Sequence, residues 1–302
     1  MDGQNGKSRL CAYAGIRELT AKGGIKAAFN SARVYSYGSV ELLYIKDECK
    51  NLVESAKDIK AAISESGLAV KCISCFVDVV DEAMPYNARP DSIEAVKECI
   101  DLAKEIGCDK VHHTLVTRLS GNRLDYAPIF QKVLPVAEEL ADYAEKCGVE
   151  ILYEPQGMIF NGLIGYSTFF DIMRTRHKNV GLCLDVGNPM WVSEECYSLA
   201  KKYADYIRHV HLKDYVLGTT KKEEESGDIG DAEILDTPYR TLTGRRIKEV
   251  KLGTGIIDLS RVFDILTSAN YSGALSIEDN TSPDFEAIAR NAHETVGKYI
   301  SE

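Results

Sequence analysis

The 302-residue chain has no apolar run long enough to span a membrane, which takes about 18 or more uninterrupted apolar residues. Its first residues, MDGQNGKSRL, lack the basic stretch followed by an apolar stretch that is typical of a signal peptide. The 36 lysines and arginines are outnumbered by 46 aspartates and glutamates, and no basic stripe offsets the formal charge of −10. We therefore expect a cytoplasmic protein without a membrane or nucleic-acid partner.

The cysteines lack the paired spacing of a disulfide framework, and their number, nine, is odd. Several lie within apolar patterns, which predicts reduced thiols packed in the core: Cys72, Cys99, Cys108, Cys147 and Cys183. Hydrophobic residues make up 45% of the chain and charged residues 27%, as in an ordinary globular protein. This composition excludes a disordered or collagen-like chain.

Short apolar, β-branched segments alternate with longer amphipathic segments, a pattern typical of β-α units around a parallel sheet. Two of the amphipathic segments, Ser92–Ile106 and Tyr126–Cys147, have helical periodicity, and Asp91 or Ser92 is placed to cap the first of them. The predicted strands are Leu10–Ala14, Val40–Ile45, Leu68–Val77, Lys110–Val116, Glu150–Glu154, Val180–Asp185, Ile207–Leu212 and Ala274–Glu278.

Eight strand-helix units in a chain of this length predict an α/β fold, a (β/α)8 TIM barrel that forms one domain over residues 1–302. A doubly wound open sheet is the alternative, but no GxGxxG follows the first strand. The connection after the seventh strand, residues 215–257, is unusually long and contains the charged stretch KKEEESGDIGDAE. We expect it either to fold over the barrel mouth or contact another subunit, or to be a disordered surface excursion.

We expect a homo-oligomer, with a hetero-oligomer as the alternative.

Catalytic groups of such barrels lie at the carboxyl ends of the strands, where four metal-competent side chains fall in this sequence. They are Glu154, Asp185, His211 and Glu278. Each alone is explained as a loop residue, a helix cap or a core histidine. Together, three carboxylates and an imidazole would repel and desolvate one another without a cation, so we predict a metal site. Its hard, oxygen-rich character favours Mn²⁺ or Mg²⁺, while Zn²⁺ or Co²⁺ is possible.

Further polar residues lie near these strand ends. His209 and His211 share one face of their strand, and His211 is nearer the mouth. Lys213 continues that face and either reaches a substrate oxygen or phosphate or has no role. His112 and His113 face opposite sides of the fourth strand, so one of them points into the barrel, and we prefer His113.

The motifs YEPQG, LDVGN, HVHLKD, LGTGIID and LSIEDN resemble those of the xylose-isomerase-like TIM-barrel superfamily of sugar and sugar-phosphate isomerases and epimerases. That superfamily also includes inosose dehydratases and, more distantly, endonuclease IV. The resemblance runs from about the second strand to the C-terminus and is firmest over residues 150–280. It implies a divalent cation held by Glu154, Asp185, His211 and Glu278, with the two glutamates as the acid/base pair.

The departures from this resemblance concern substrate recognition. Asn188 stands where ketose 3-epimerases carry a histidine, and it either binds a substrate hydroxyl or shapes the turn before Pro189. Leu217 stands where they carry an arginine, so Arg240, Arg245 and Arg246 in the long connection are candidates to replace it. The additional histidines of endonuclease IV are missing, which argues against DNA repair.

Three other features have alternative interpretations. Glu41 lies in SVELLY, where relatives often show a Gly-Ile-Glu-Leu-like run, and it either binds substrate or satisfies a buried partner. Trp191 forms either an apolar wall for a sugar face or ordinary packing. The amides of Gly253-Thr254-Gly255 either cradle a phosphate or form a tight turn that leads to an Asp258 helix cap.

These observations favour a metal-dependent isomerase or epimerase acting on a sugar, keto-sugar or sugar phosphate by α-proton abstraction, with Mn²⁺ as the preferred metal. One alternative is a lyase, either an inosose-type dehydratase or an enzyme that cleaves C-linked or keto-glycosides. Another is a non-catalytic sugar-binding or partner subunit. The predicted catalytic residues are Glu154 and Glu278, and the predicted substrate-binding residues are His113, Asn188, Lys213, Glu41 and Trp191.

Overall fold

The computed structural model describes residues 8–45, 51–81, 84–115 and 126–300. The strands in these residues are β1 (Leu10–Ala12), β2 (Ser39–Ile45), β3 (Ala69–Phe76), β4 (Lys110–His113), β5 (Glu150–Tyr153), β6 (Val180–Asp185), β7 (Ile207–Leu212), β8 (Asp214–Thr220), β9 (Arg245–Val250) and β10 (Leu275–Ile277). Strands β1 to β7 and β10 pair in parallel, each with its neighbours in this order, and close into an eight-stranded barrel. The predicted (β/α)8 TIM barrel is confirmed.

Helices surround the barrel. They are α1 (Ile16–Gly23), α2 (Ile25–Val34), α3 (Asn51–Glu54), α4 (Ala56–Ser66), α5 (Pro90–Ile106), α6 (Tyr126–Cys147), α7 (Gly157–Phe160), α8 (Leu163–Arg176), α9 (Tyr197–Lys202), α10 (Lys221–Ser226), α11 (Leu259–Ser268) and α12 (Phe285–Ile300), with short 3-10 helices at Asn188–Val192 and Ala204–Tyr206. None of the helices in the described ranges has the length and apolar character needed to cross a membrane.

The sequence located the elements well but not all of their ends. Strand β4 stops at His113, and the predicted end of that strand, Val116, lies outside the described residues. The predicted cap of α5 at Asp91 or Ser92 is wrong, because the helix begins at Pro90, whose fixed φ suits the first helical position. Gly107 then ends α5 in the left-handed conformation that favours glycine.

The core lies both inside the barrel and between the barrel and its helices. All six residues of β6 are buried, as expected for a barrel strand covered on both sides. Cys72, Leu152 and Cys183 form a separate buried cluster. The described cysteines are free thiols, so the prediction of core thiols is confirmed for Cys72, Cys99, Cys108 and Cys183, whereas Cys147 is only half-buried.

Segment 215–257 is ordered rather than a disordered excursion. Strands β8 and β9 pair in antiparallel fashion, and α10 follows β8 with a capping box formed by Thr220 and Glu223. We call residues 214–250 the ribbon. The backbone N–H of Leu242 donates to the carbonyl of Trp191, and the Asn280 N–H donates to Glu249. The ribbon therefore contacts the loops that follow β6 and β10, at the carboxyl end of the barrel.

Two arginines of the ribbon bind a glutamate of the same ribbon. Glu224 accepts hydrogen bonds from Arg240 Nη2 at 2.9 Å and from Arg246 Nε at 2.7 Å. Arg245, in β9, donates its backbone N–H to Thr241. The hypothesis that an arginine of the ribbon replaces the missing arginine at position 217 is therefore wrong for Arg240 and Arg246, whose guanidinium groups bind within the ribbon, and it stays a prediction for Arg245.

The glycine-rich turn before α11 does not bind phosphate through its amides. The Asp214 carboxylate accepts hydrogen bonds from the N–H groups of Gly253 at 3.0 Å and Gly255 at 2.8 Å. A Cβ on Gly255 would lie 2.2 Å from the Asp214 carboxylate, so only glycine permits this approach. The turn leads to Asp258, whose side chain caps α11, as the alternative interpretation predicted.

Candidate metal centre

Four predicted ligands meet at the carboxyl end of the barrel. Asp185 ends β6 and lies beside His211 of β7 in the sheet register. Glu154 and Glu278 each follow the last residue of their strands, β5 and β10, and so lie at the rim. Asp185, His211 and Glu154 are buried, whereas the Glu278 side chain keeps 21% of its exposure. One face of this cluster is therefore open to a ligand.

His211 lies at the centre of the cluster. Its Nδ1 atom is 3.2 Å from Glu154 Oε2, 3.3 Å from Glu278 Oε2 and 3.9 Å from Asp185 Oδ2. Ligands that bind one cation at about 2.0–2.2 Å in tetrahedral or octahedral geometry lie roughly 3 to 3.6 Å from one another. Glu154 and Glu278 therefore have this spacing from His211 Nδ1, and Asp185 lies slightly farther from it. Ligand atoms of Asp185, His211 and Glu278 all lie within 4.8 Å of one another.

The hydrogen bonding of the cluster also fits a cation. His211 Nδ1, Glu154 Oε2 and Asp185 Oδ2 are buried atoms without a well-aligned hydrogen-bond partner in the described residues. The other oxygen of Asp185, Oδ1, accepts from the N–H groups of Gly187 and Asn188 at 2.8 Å and 2.7 Å, which fixes the carboxylate. Buried unsatisfied polar atoms are costly, and a divalent ion among them would offset that cost.

The charge on this cluster is mainly negative. Burial opposes ionisation of Glu154, yet His112 and His211 hold its pKa well below the usual value. Burial raises the pKa of Asp185 to about 6, against the opposing effect of Lys213. Burial lowers the pKa of His211, but Cys183 and Glu41 raise it well above the usual value. A divalent cation among the three carboxylates would replace the proton on His211 Nδ1.

Lys213 supplies the ammonium group at the site. Its Nζ atom lies 2.8 Å from Glu278 Oε1, 3.0 Å from Asp185 Oδ2 and 3.3 Å from Asn188 Oδ1. Burial disfavours its charge, but Asp185 and Glu278 raise its pKa well above the usual value. Lys213 and Asn188 are therefore brought to the site, as predicted for substrate-binding residues, and their contact with substrate stays a prediction.

A family profile described as "Xylose isomerase-like TIM barrel" matches residues 29–298. The chain belongs to the xylose isomerase-like TIM barrel family. It is 26% identical over 245 residues to an inosose dehydratase from Geobacillus thermodenitrificans, covering 75% of this chain and 74% of the relative. It is 24% identical over 250 residues to a putative hydroxypyruvate isomerase from Drosophila melanogaster, covering 80% of each chain.

A solved structure has the same fold as this xylose isomerase-like barrel. The crystal structure of the IolI protein with a bound zinc atom aligns with a TM-score of 0.71 at 17% sequence identity, covering 98% of this chain and 100% of that chain. The relatives are therefore dehydratases and isomerases, which agrees with a sugar-processing enzyme.

One histidine of this xylose isomerase-like barrel was assigned to the wrong face. His112, not His113, points into the barrel: its Nε2 lies 3.3 Å from Glu154 Oε1 and its Nδ1 lies 2.8 Å from Ser74 Oγ. His113 lies on the other face, with Nε2 3.0 Å from the Val77 carbonyl oxygen. The predicted substrate contact of His113 is corrected, because adjacent strand residues face opposite ways and both positions are buried.

Glu41 is also not placed to meet a substrate. It is fully buried, with Oε1 3.0 Å from His211 Nε2 and Oε2 2.7 Å from His209 Nε2. Burial would raise its pKa, but the two histidines hold it well below the usual value. The structure therefore supports the alternative in which Glu41 satisfies buried partners, and the substrate-binding hypothesis for this residue is corrected.

Trp191 joins the ribbon to the loop after β6. Its ring packs edge-on against Tyr215 and Tyr239, with centroids 6.2 Å and 5.9 Å away, and its Nε1 donates to the Tyr215 hydroxyl at 3.4 Å. The half-buried indole thus packs between the ribbon and the loop after β6, which supports the interpretation of Trp191 as ordinary packing. Direct contact with a sugar stays a prediction.

The sequence analysis missed Tyr13. Its ring stacks on His211 with a centroid separation of 5.1 Å and an interplanar angle of 24°. Together with Phe76 and Glu278 it lines a cavity of about 210 Å³ beside the metal centre. Tyr13 follows β1 directly, so the strand-end rule used for the other residues would have found it. Another cavity, of about 280 Å³, lies at the opposite end of the barrel, away from these groups.

Proposed function

We propose that the protein is a divalent-metal-dependent isomerase or epimerase that abstracts a proton beside the carbonyl of a sugar, keto-sugar or sugar phosphate. The observation that carries this proposal is the approach of three carboxylates to one imidazole nitrogen, His211 Nδ1. The family and its sugar-processing relatives support the same reaction class. The adjacent cavity, lined by Tyr13 and Glu278, is placed to receive the substrate.

The two glutamates differ in what each oxygen faces. In both, Oε2 faces His211 Nδ1, whereas Oε1 of Glu154 faces His112 and Oε1 of Glu278 faces Lys213. One oxygen of each side chain is thus available as a ligand and the other for proton transfer. In the proposed reaction, Oε1 of one glutamate takes the α-proton, and the C–H electron pair moves into the bond to the carbonyl carbon.

The proton then returns in one of two ways. Return to the same carbon from the opposite face, by the second glutamate, inverts that carbon and gives an epimer. Return to the former carbonyl carbon, with transfer of the hydroxyl proton to the carbonyl oxygen, gives the isomeric carbonyl compound. A cation held by Glu154, Asp185, His211 and Glu278 would supply Lewis-acid stabilisation of the negative charge that develops on oxygen.

We propose Mn²⁺ as this cation. Three carboxylates and one imidazole form a hard ligand set, which suits Mn²⁺ or Mg²⁺ better than soft, thiolate-preferring ions. The related IolI structure holds a zinc atom, so Zn²⁺ is the alternative cation.

A lyase is the second candidate. The inosose dehydratase relative supports it, and so does the position of Lys213, whose ammonium lies 2.8 Å from Glu278. After the same proton abstraction, a hydroxyl on the next carbon would leave with its bonding electron pair. A proton from Lys213 or Glu278 would convert it to water, leaving a new double bond in the product.

The experiment that separates these reactions is incubation of metal-loaded protein in D₂O with ketoses, ketose phosphates, inososes and 3-keto-glycosides. We expect solvent deuterium at one α-carbon of the recovered sugar, detected by NMR and mass spectrometry. Loss of water or of an aglycone would select the lyase. Absence of deuterium and of product across the panel, with sugar binding retained, would instead support the non-catalytic alternative.

A further inference from the structure

A buried carboxylate lies beneath the metal centre and contacts its histidine, His211, and the deeper His209. Glu41 is fully buried and hydrogen-bonded to His211 at 3.0 Å and to His209 at 2.7 Å. The hydroxyls of Ser74 and Ser276 complete its surroundings, one on each carboxylate oxygen. Ser74 belongs to β3, the two histidines belong to β7 and Ser276 belongs to β10. Glu41, which lies on β2, therefore joins four barrel strands.

The hydrogen-bond inventory of this network determines which nitrogen of His211 carries a proton. An ionised carboxylate only accepts hydrogen bonds, so the His211 Nε2 atom at 3.0 Å from Glu41 must be the donor. When a cation binds Nδ1 in place of a proton, the imidazole keeps its proton on Nε2 and its Nδ1 lone pair faces the cation. Nδ1 is the atom that faces Glu154, Glu278 and Asp185.

Glu41 also acts on the second inward histidine, through Ser74. The Ser74 hydroxyl donates to Glu41 Oε1, so its oxygen is left to accept from His112 Nδ1, which lies 2.8 Å away. This orientation directs His112 Nε2 toward Glu154 Oε1 at 3.3 Å. One buried carboxylate therefore orients two rings that contact Glu154.

We propose that Glu41 is a positioning residue that fixes the tautomer and orientation of His211, and through Ser74 the orientation of His112, so that His211 Nδ1 faces a cation. This inference rests on the metal centre of the proposed function. Removal of the group that accepts a hydrogen bond from a metal-binding histidine typically weakens metal affinity about 10- to 100-fold. Glu41 does not touch substrate, so its effect on turnover passes through the two histidines.

The test compares wild-type protein with Glu41→Gln, which keeps the shape, and Glu41→Leu, which removes every polar contact. Affinities for Mn²⁺ and Zn²⁺ are measured by calorimetry with a competing chelator on protein whose folding is verified by circular dichroism. We expect about a 10- to 100-fold loss for Glu41→Leu and a smaller loss for Glu41→Gln. Ser276→Ala is the matched control, because it removes a buried partner from the other oxygen of Glu41 without touching His211.

A purely structural role predicts a different pattern. In that case Ser276→Ala and Glu41→Leu both lower the unfolding temperature, but the folded variants keep wild-type metal affinity, and the proposal is overturned. A second measurement needs no variant: long-range ¹H–¹⁵N correlation spectra of Zn²⁺-loaded, histidine-labelled wild-type protein. We expect a proton on Nε2 of His211 and metal on Nδ1, and the reverse assignment overturns the proposal even if both Glu41 variants fail to fold.

These outcomes are separable from the fate of the proposed function. Wild-type protein that binds cations but exchanges no α-proton contradicts the isomerase and lyase proposals and leaves the Glu41 inference standing. Wild-type protein that binds neither Mn²⁺ nor Zn²⁺ overturns both. Normal α-proton exchange with unchanged metal affinity in both Glu41 variants overturns the Glu41 inference alone.

Discussion

The ammonium of Lys213 lies 2.8 Å from Oε1 of Glu278, while Oε2 of the same glutamate faces His211. The two oxygens of Glu278 therefore have different neighbours, one a charged donor and the other the proposed metal shell. In the proposed reaction, one oxygen of Glu278 binds the cation and the other transfers a proton. Substitutions can therefore test metal binding and turnover separately.

Replacement of Glu154 or Glu278 by glutamine is expected to lower turnover far more than metal content. Glutamine keeps an oxygen ligand but cannot act as a base, and general acid/base catalysis contributes about 10²- to 10⁴-fold. Steady-state kinetics and elemental analysis of the same samples test this. Glu150→Gln is the matched control, because Glu150 lies at the other end of β5 and pairs with Arg208. A Glu154→Gln or Glu278→Gln variant with nearly full turnover would exclude that residue as an essential base.

The position of the metal can be tested with Co²⁺. Two sets of ligand atoms in the cluster each lie within 4.8 Å of one another, one from Asp185, His211 and Glu278 and the other from His112, Glu154, Cys183 and His211. Because burial raises the pKa of the Cys183 thiol to about 12, we expect the cation among the carboxylates and no thiolate-to-cobalt charge-transfer band. His211→Ala should lower the metal content at least about tenfold, since it removes a direct ligand. A charge-transfer band that Cys183→Ser abolishes would contradict the assigned ligand set.

Lys213→Met is expected to separate turnover from metal binding. The ammonium competes with a divalent cation for Asp185 and Glu278, so its removal should leave Mn²⁺ affinity unchanged or raise it several-fold. Turnover should fall about 10- to 100-fold, the scale of one lost hydrogen bond from a charged group. Calorimetry and kinetics check the two effects, with Lys71→Met at the opposite end of the barrel as control. A parallel loss of metal and turnover would mean that Lys213 instead supports the ligands.

The ribbon should loosen at low pH. Hydrogen bonds from Arg246, Thr219 and Arg240 lower the pKa of Glu224 to about 2 from an ordinary 4.5. A carboxyl group with a depressed pKa in the folded state stabilises it above the unfolded pKa, and this stabilisation is lost as pH falls through the folded pKa. The protection of amide hydrogens in β8 and β9, expressed relative to the intrinsic exchange rate at each pH, should therefore fall between about pH 4.5 and 2, and Glu224→Gln should show that lower protection already at pH 7.

The same Glu224→Gln variant tests the proposed role of segment 215–257. If the ribbon closes the barrel mouth or contacts another subunit, the variant should change KM, turnover or oligomeric mass. Glu225→Gln is the control, because Glu225 lies next to Glu224 on the exposed side of α10. Unchanged kinetics and mass in a variant whose ribbon is measurably looser would leave the segment without either role.

The sequence by itself determined the barrel and most residues of the candidate metal centre. Parallel strands bring their carboxyl ends to one edge, so Glu154, Asp185, His211 and Glu278 could be placed together from their positions after or within strands. Only the tertiary structure decided between His112 and His113, because β4 is buried on both faces and no alternation of polarity marks its inner side. Likewise, only the pairing of β8 with β9 brought Arg240 and Arg246 to Glu224, because contacts between residues so far apart in the chain leave no local pattern.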